Sequence, residues 1–389
     1  MVWTIDNAKN DEASKVRWDL VPYMNGRLMD IGCGGYKVFP KAVGVDSGVM
    51  WGKATADVMC DTAEHLEMFS SQSFDCVFSS HLLEHIVNYK AALKEWFRLV
   101  KQGGYLCLYL PHKEFYPNVG QYGSNPDHKH DFMPQDIIDA MKEIGGWDLV
   151  ENEDRNDADE YSFFQVYKKV QGRGCTESWK APRPEKTAAV IRYAAIGDAI
   201  QASSILPWLK EQGYHVTFYC QSGPGHDVLK HDPHIDRFIV QGKDEVPPQL
   251  LQEFWDHTKK KYDKWINLCE SVEGTLLAIP GRVNHEWPNE LRAKYQNRNY
   301  LEWTNELAGV PGPYRPKFYS TLDERAWARK KAQQFGSKNI LWSLSGSSGH
   351  KTWPWLDAII ARIMLNYKDV DLVLVGDEFC RILESGWEG

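Results

Sequence analysis

The chain has 389 residues, is 43% hydrophobic and carries a net charge of −8. That length exceeds one ordinary domain, so two or three are expected, each with a sizeable core. No long basic run offsets the acidic balance, which excludes a general nucleic-acid binder; no apolar stretch reaches the length of a membrane span and the polar start lacks an apolar signal core, so a cytoplasmic protein is expected.

In chain order, short apolar runs predict strands over 27–31, 42–46, 74–79 and 105–110. Helical spacing of Ala91, Leu93, Trp96, Phe97 and Val100 predicts a helix over 88–100, stopped by the glycines of Lys101-Gln-Gly-Gly104. A second helix is expected over 135–144, and closing strands over 147–151 and 162–168. This alternation predicts a mainly parallel sheet covered by helices. Residues 171–186, rich in Gly, Pro and polar side chains, read as a linker. A second alternating series follows: strands over 188–192, 215–220, 237–240 and 264–268, a helix over 199–212, a helix over 325–335, strands over 339–343 and 370–375, and a helix over 354–365. The resulting division is 1–170, 171–186, 187–335 and 336–389. The eight cysteines form no Cys-x-x-Cys pair and read as reduced thiols; the 16 Trp and 18 Tyr read as core, with stacking platforms for sugars or bases as the alternative.

The densest chemistry lies in Leu28-Met-Asp-Ile-Gly-Cys-Gly-Gly35 and Val43-Gly-Val-Asp46. Glycines at 32 and 34 let backbone approach a ligand, and an acid closing the next strand can accept from two ribose hydroxyls. A nicotinamide dinucleotide site prefers a third glycine where this chain has Lys37.

The segment Asp30-Ile-Gly-Cys-Gly-Gly35 resembles motif I of class I S-adenosylmethionine-dependent methyltransferases, over about residues 15–170. Asp46 matches that family's ribose-binding acid. Cys60-Asp61-Thr62-Ala63 matches its adenine segment, and Ser73-Phe-Asp-Cys-Val-Phe-Ser-Ser-His-Leu-Leu-Glu-His85 its fourth strand and Leu-Glu-His turn. Leu99-Val-Lys-Gln-Gly-Gly-Tyr-Leu106 matches its Gly-Gly turn. The resemblance implies S-adenosylmethionine as cofactor, held by Asp30, Gly32, Cys33, Gly34, Asp46, Asp61, Thr62, Ala63 and Ser79. The donor is already activated, so alignment governs transfer, and a base matters only for a hydroxyl or protonated amine. His81, Glu84 and His85 are the candidates for that role, with capping or packing as the alternative. His128 and His130, in a polar loop, are expected to border the acceptor. A His-x-His can bind metal, but no accompanying ligands are evident in sequence, and no metal is expected.

In the second series, Val190-Ile-Arg-Tyr-Ala-Ala-Ile-Gly-Asp198 and Trp342-Ser-Leu-Ser-Gly-Ser-Ser-Gly-His-Lys351-Thr-Trp-Pro-Trp355 resemble two landmarks of the heptosyltransferase-like (family 9) GT-B glycosyltransferases. The resemblance implies a Rossmann-like acceptor domain over 187–335, the start of a donor domain over 336–389, and a nucleotide-sugar as co-substrate. It implies Asp198 as the base beside Gly197, an N-cap being the alternative. Ser347, Ser348 and Lys351 would meet the diphosphate. Only about two strands and a helix follow residue 336, so an incomplete donor domain is expected. The fold class expected overall is α/β: a methyltransferase sheet, then a GT-B type domain and part of another. The function expected is methyl transfer to a glycan or small molecule coupled to glycosyl transfer. The alternatives are a methyltransferase with an inactive GT-B remnant, and an NAD-dependent nucleotide-sugar reductase or epimerase.

Overall fold

Two apolar runs, Leu28–Ile31 (β1) and Val43–Asp46 (β2), pair in parallel with Met29 beside Val43 and Asp30 beside Gly44. Phe74–Ser80 (β4) lies parallel on the other side of β1, and Val58–Met59 (β3) flanks β2. These assignments come from a computed structural model that describes residues 11–48, 56–193, 195–312, 315–344, 353–376 and 378.

The sheet continues through Val100–Pro111 (β5) to an antiparallel hairpin, Trp147–Arg155 (β6) and Ser162–Lys169 (β7), with β7 between β5 and β6. Cys175–Thr176 (β8), inside the expected linker, adds an eighth strand beside β6. Ala13–Leu20 (α1), Tyr89–Leu99 (α2) and Pro134–Ile144 (α3) cover the sheet. The Asn88 side chain caps α2 by accepting from the Ala91 amide, which accounts for its start. Its end differs from expectation. Strand β5 begins at the next residue, Val100, and the Gly-Gly pair lies within the strand at a register shift opposite Phe74 and Cys76. Gly103 has φ +81°, and a Cβ on Gly104 would come 2.5 Å from the Asp75 carbonyl oxygen. These glycines serve a bulge, not a helix stop.

The second sheet has four parallel strands in the order β11-β10-β9-β12: Thr187–Arg192 (β9), His215–Gln221 (β10), Arg237–Gln241 (β11) and Lys264–Asn267 (β12). The single helix expected over 199–212 is two, Ile196–Ser203 (α4) and Leu206–Glu211 (α5). Pro207 has no N–H to continue the ladder, and the chain restarts around it. Pro224–Leu229 (α6), Leu251–Thr258 (α7), Asn289–Tyr295 (α8) and Tyr300–Ala308 (α9) complete this part.

Both sheets belong to one compact unit that runs to Phe318. One apolar cluster spans them, joining Val16 and Leu20 of α1 and Phe78 and Tyr109 of the first sheet to Ile191, Tyr219 and Ile239 of the second and Phe254 of α7. Beside it, buried Asp19 meets Arg155 of β6 and His257 and Lys261 of the second part. The hydrogen bond with His257 and the charges of Lys261 and Arg155 hold its carboxyl below the usual range despite burial.

A second unit starts at Tyr319. It contains Leu322–Ala332 (α10), the parallel pair Lys338–Ser343 (β13) and Val370–Val375 (β14), and Leu356–Asn366 (α11), around a small core of Leu344, Leu356 and Ile360. Among the described residues, no helix is long and apolar enough to cross a membrane.

Candidate active site

The C-terminal ends of β1, β2 and β4 open into a cavity of 980 Å³. That is the scale of a site for a nucleoside-sized ligand. On one side lie Gly32, Gly34, Asp46, Asp61, Thr62 and Ala63; on the other His81, Glu84, His85 and His128. The cavity thus gathers six of the nine expected cofactor residues, all three expected transfer residues and one of the two loop histidines.

Gly32 (φ +76°) and Gly34 (φ +53°) both use the left-handed region. A Cβ on Gly32 would strike Leu82 at 2.8 Å, whereas one on Gly34 would meet nothing within 4 Å. Gly34 therefore exposes bare backbone to the cavity. The Asp46 carboxylate accepts from the Gly34 amide at 2.9 Å and, through its other oxygen, from the Gly48 amide at 2.8 Å. Each oxygen keeps a lone pair for a ligand hydroxyl. The Ala63 carbonyl accepts from Trp96 Nε1 at 2.8 Å, which anchors the Asp61–Ala63 segment to α2.

No helix follows the glycine turn: residues 32–42 are turns and bends. A pyrophosphate would find no helix N-terminus there, which weighs against a dinucleotide. Lys37, at the third-glycine position, reaches Asp57 at 2.9 Å.

Three expected cofactor residues do not line the cavity. Asp30 is buried and accepts from the Val38 amide at 2.6 Å; burial raises its carboxyl to about 7. That contact ties residue 38 of the turn back to strand β1. Cys33 is buried, and Ser79 donates to the Ile31 carbonyl at 3.0 Å. Strand alternation turns Ser79 inward and presents Ser80 to the cavity.

His81 sits at φ +46°, a strained conformation for a non-glycine residue at a strand end. Its ring nitrogens lie 3.3 Å from Ser80 Oγ and 3.1 Å from Ser162 Oγ. Burial, with help from Lys15, lowers its pKa to about 3. His81 is thus a neutral, hydrogen-bonded ring, a weak base for proton abstraction.

Glu84 is fully buried on the tight turn Leu83–His85, and burial raises its carboxyl to about 8. Neither of its carboxyl oxygens has a hydrogen-bond partner. Its backbone carbonyl accepts from the amides of Lys129 (2.8 Å) and His130 (3.2 Å), which pins the 125–131 loop onto the turn. His128 and His85 are thereby each set 3.9 Å from Glu84 Oε1. Burial lowers the pKa of both rings. His130 faces elsewhere: its Nε2 lies 3.1 Å from the Val87 carbonyl and its ring stacks on Phe132.

Sequence reasoning missed several lining residues. Glu12, on the segment before α1, accepts from Tyr161 Oη at 3.1 Å, and Tyr116 packs between Tyr161 and His128. Nothing in residues 11–20 carries a recognisable motif, so only the fold brings Glu12 to the site.

In the second sheet, Asp198 lies in the first turn of α4 and Gly197 is exposed. Asp198 is ion-paired at 3.0 Å with buried Arg192, which also holds Glu273 at 2.8 Å and the Leu268 carbonyl at 2.8 Å. The crevice beside it leaves 0 Å³ for even a water molecule. Ser347, Ser348 and Lys351 lie outside the described residues.

Residues 29–108 match the family model described as a methyltransferase domain. The matched residues run from β1 into β5 of the first sheet, and the match does not extend to the second sheet. No curated protein matches the chain. Among solved structures, the chain is similar to a SAM-dependent methyltransferase from Thermotoga maritima (20% identity, 41% of this chain, 95% of that one, TM-score 0.32). It is also similar to an S-adenosylmethionine-dependent methyltransferase from Mesorhizobium loti (13% identity, 42% of this chain, 100% of that one, TM-score 0.34). A third is phosphoethanolamine N-methyltransferase 1 from Haemonchus contortus (14%, 68% and 73%, TM-score 0.36). At these identities and TM-scores the likenesses carry no functional argument.

Proposed function

We propose that the chain methylates a glycan or small-molecule acceptor with S-adenosylmethionine, and that its second part is a nucleotide-sugar-directed glycosyltransferase module of glycoconjugate assembly. The observation that carries the first half is the single cavity in which Gly32, Gly34 and Asp46 face Glu84, His85 and His128. S-adenosylmethionine, when bound, supplies a methyl group activated by a sulfonium charge. Asp46 would accept from its ribose hydroxyls, the bare backbone at Gly34 would allow close approach, and the Asp61–Ala63 segment would meet the adenine. The aromatic wall of Tyr116 and Tyr161 would exclude water and orient the acceptor.

Support for the second half is coarser. The parallel order of the second sheet suits a Rossmann-like acceptor domain, and Asp198 follows the C-terminal end of β9, where such sheets bind ligands. Its pairing with Arg192 means that the aspartate must be released before it can take a proton.

The test is labelled-methyl transfer from S-adenosylmethionine to a panel of sugar and small-molecule acceptors, with nucleotide-sugar hydrolysis followed in parallel. Acceptor-dependent transfer that Asp46→Ala suppresses at low donor concentration is expected. Nucleotide-sugar hydrolysis abolished by Asp198→Asn supports the second module, and hydrolysis unaffected by it removes Asp198 from that role.

A further inference from the structure

Glu84, His85 and His128 each offer one ligand atom, and these atoms lie within 4.8 Å of one another. A fully buried carboxyl group with both oxygens unpartnered is costly, and Nδ1 of His85 is also buried without a partner. All three residues line the cavity, so a group bound among them would keep one face open to it. Two imidazoles and one carboxylate form a donor set for zinc, manganese or ferrous iron, whereas magnesium and calcium favour oxygen ligands.

We infer that Glu84, His85 and His128 bind a divalent transition-metal ion whose open position receives the acceptor's oxygen. The assignment of that position rests on the methyl-transfer reading. Metal bonds of about 2.0–2.2 Å place neighbouring ligand atoms roughly 3–3.5 Å apart. The present 3.9 Å separations from Glu84 Oε1 to the two rings need only a short side-chain movement to reach that range. The backbone is set for it, because the amides of Lys129 and His130 hold the His128 loop on the Glu84 carbonyl. A hydroxyl oxygen bound at the open position releases its proton to water at lower pH than in solution, with no change in the metal's oxidation state. This would supply what His81 does not, a means of making the acceptor nucleophilic. It points to a hydroxyl-bearing acceptor.

The test is a cobalt titration of the full chain after chelator treatment, followed by visible absorption. One saturable Co²⁺ per chain is expected, competed by Zn²⁺. Affinity should fall by about tenfold or more in Glu84→Gln and in His128→Asn. Since Glu84 is buried, circular dichroism checks each fold, and His128→Asn on the loop stands as the independent variant. Absence of stoichiometric uptake, or uptake unchanged in His128→Asn, overturns the inference. Calorimetry with S-adenosylhomocysteine on the metal-stripped chain separates the two readings. Binding there with no cobalt uptake removes the metal and leaves methyl transfer; cobalt uptake that depends on these residues supports the site whatever the nucleoside does.

Discussion

Two acidic residues, one beside each sheet, are treated in opposite ways. In the first, Glu84 is buried with no donor on either oxygen, at the wall of a 980 Å³ cavity. In the second, Asp198 is satisfied by Arg192, which is itself shared with Glu273, and the adjoining crevice is closed. An unsatisfied buried group stores a demand that a ligand can meet; a satisfied ion pair stabilises the fold and must be broken before it acts. The first carboxyl group lacks a partner that a ligand could supply, and the second already has one.

The largest effect that sharpens this contrast is expected at Asp30. Its folded pKa of about 7 lies above the ordinary 3.8, with burial as the main cause, Asp11 adding to it and Arg17 and Lys37 opposing. The folded state then holds the proton longer than the unfolded chain. The contribution is complete below pH 3.8 and is lost as pH rises through about 7. Its slope approaches about 1.4 kcal/mol per pH unit. Asp30→Asn, which keeps an acceptor for the Val38 amide, should flatten that part of the profile in denaturant unfolding followed across pH. An unchanged profile would show that Asp30 is ionised in the fold.

Next comes the ion pair of the second sheet. Arg192→Ala leaves Glu273 and the Leu268 carbonyl without their donor and should cost about 3 kcal/mol in urea unfolding. Asp198→Asn, at a partly exposed carboxylate, should cost under about 1 kcal/mol. Equal losses would mean that Asp198, not Arg192, organises this region. At the first site, Asp46→Ala should weaken S-adenosylhomocysteine binding by about tenfold to a hundredfold with little change in stability. Two further effects separate the two glycines. Gly34→Ala should cost about 1 kcal/mol of left-handed strain and lower ligand affinity, because its Cβ enters the cavity. Gly32→Ala should cost more stability, because its Cβ meets Leu82 as well.

The sequence carried the outline of the first site because its signals are local. Glycines 32 and 34, Asp46 and Asp61 act within short strand-turn segments, and each lines the cavity. It failed where the answer depends on which way a residue turns. Ser79 and Ser80 are indistinguishable in sequence, yet strand alternation buries one and presents the other. Asp30 sits at the expected position but bends back to Val38. The Gly103-Gly104 pair looks like a helix stop and is a bulge. Long-range meetings were out of reach: nothing at His128 announces that its loop will be pinned by the carbonyl of Glu84. In the second part the strands followed their apolar runs, while the break before Pro207 and the pairing of Asp198 with Arg192 appear only once the chain is folded.

The most direct test of the account is calorimetric titration of the full chain with S-adenosylmethionine and, separately, with NAD. One S-adenosylmethionine per chain and no heat from NAD is the predicted result. Saturable binding of NAD without binding of S-adenosylmethionine would contradict it.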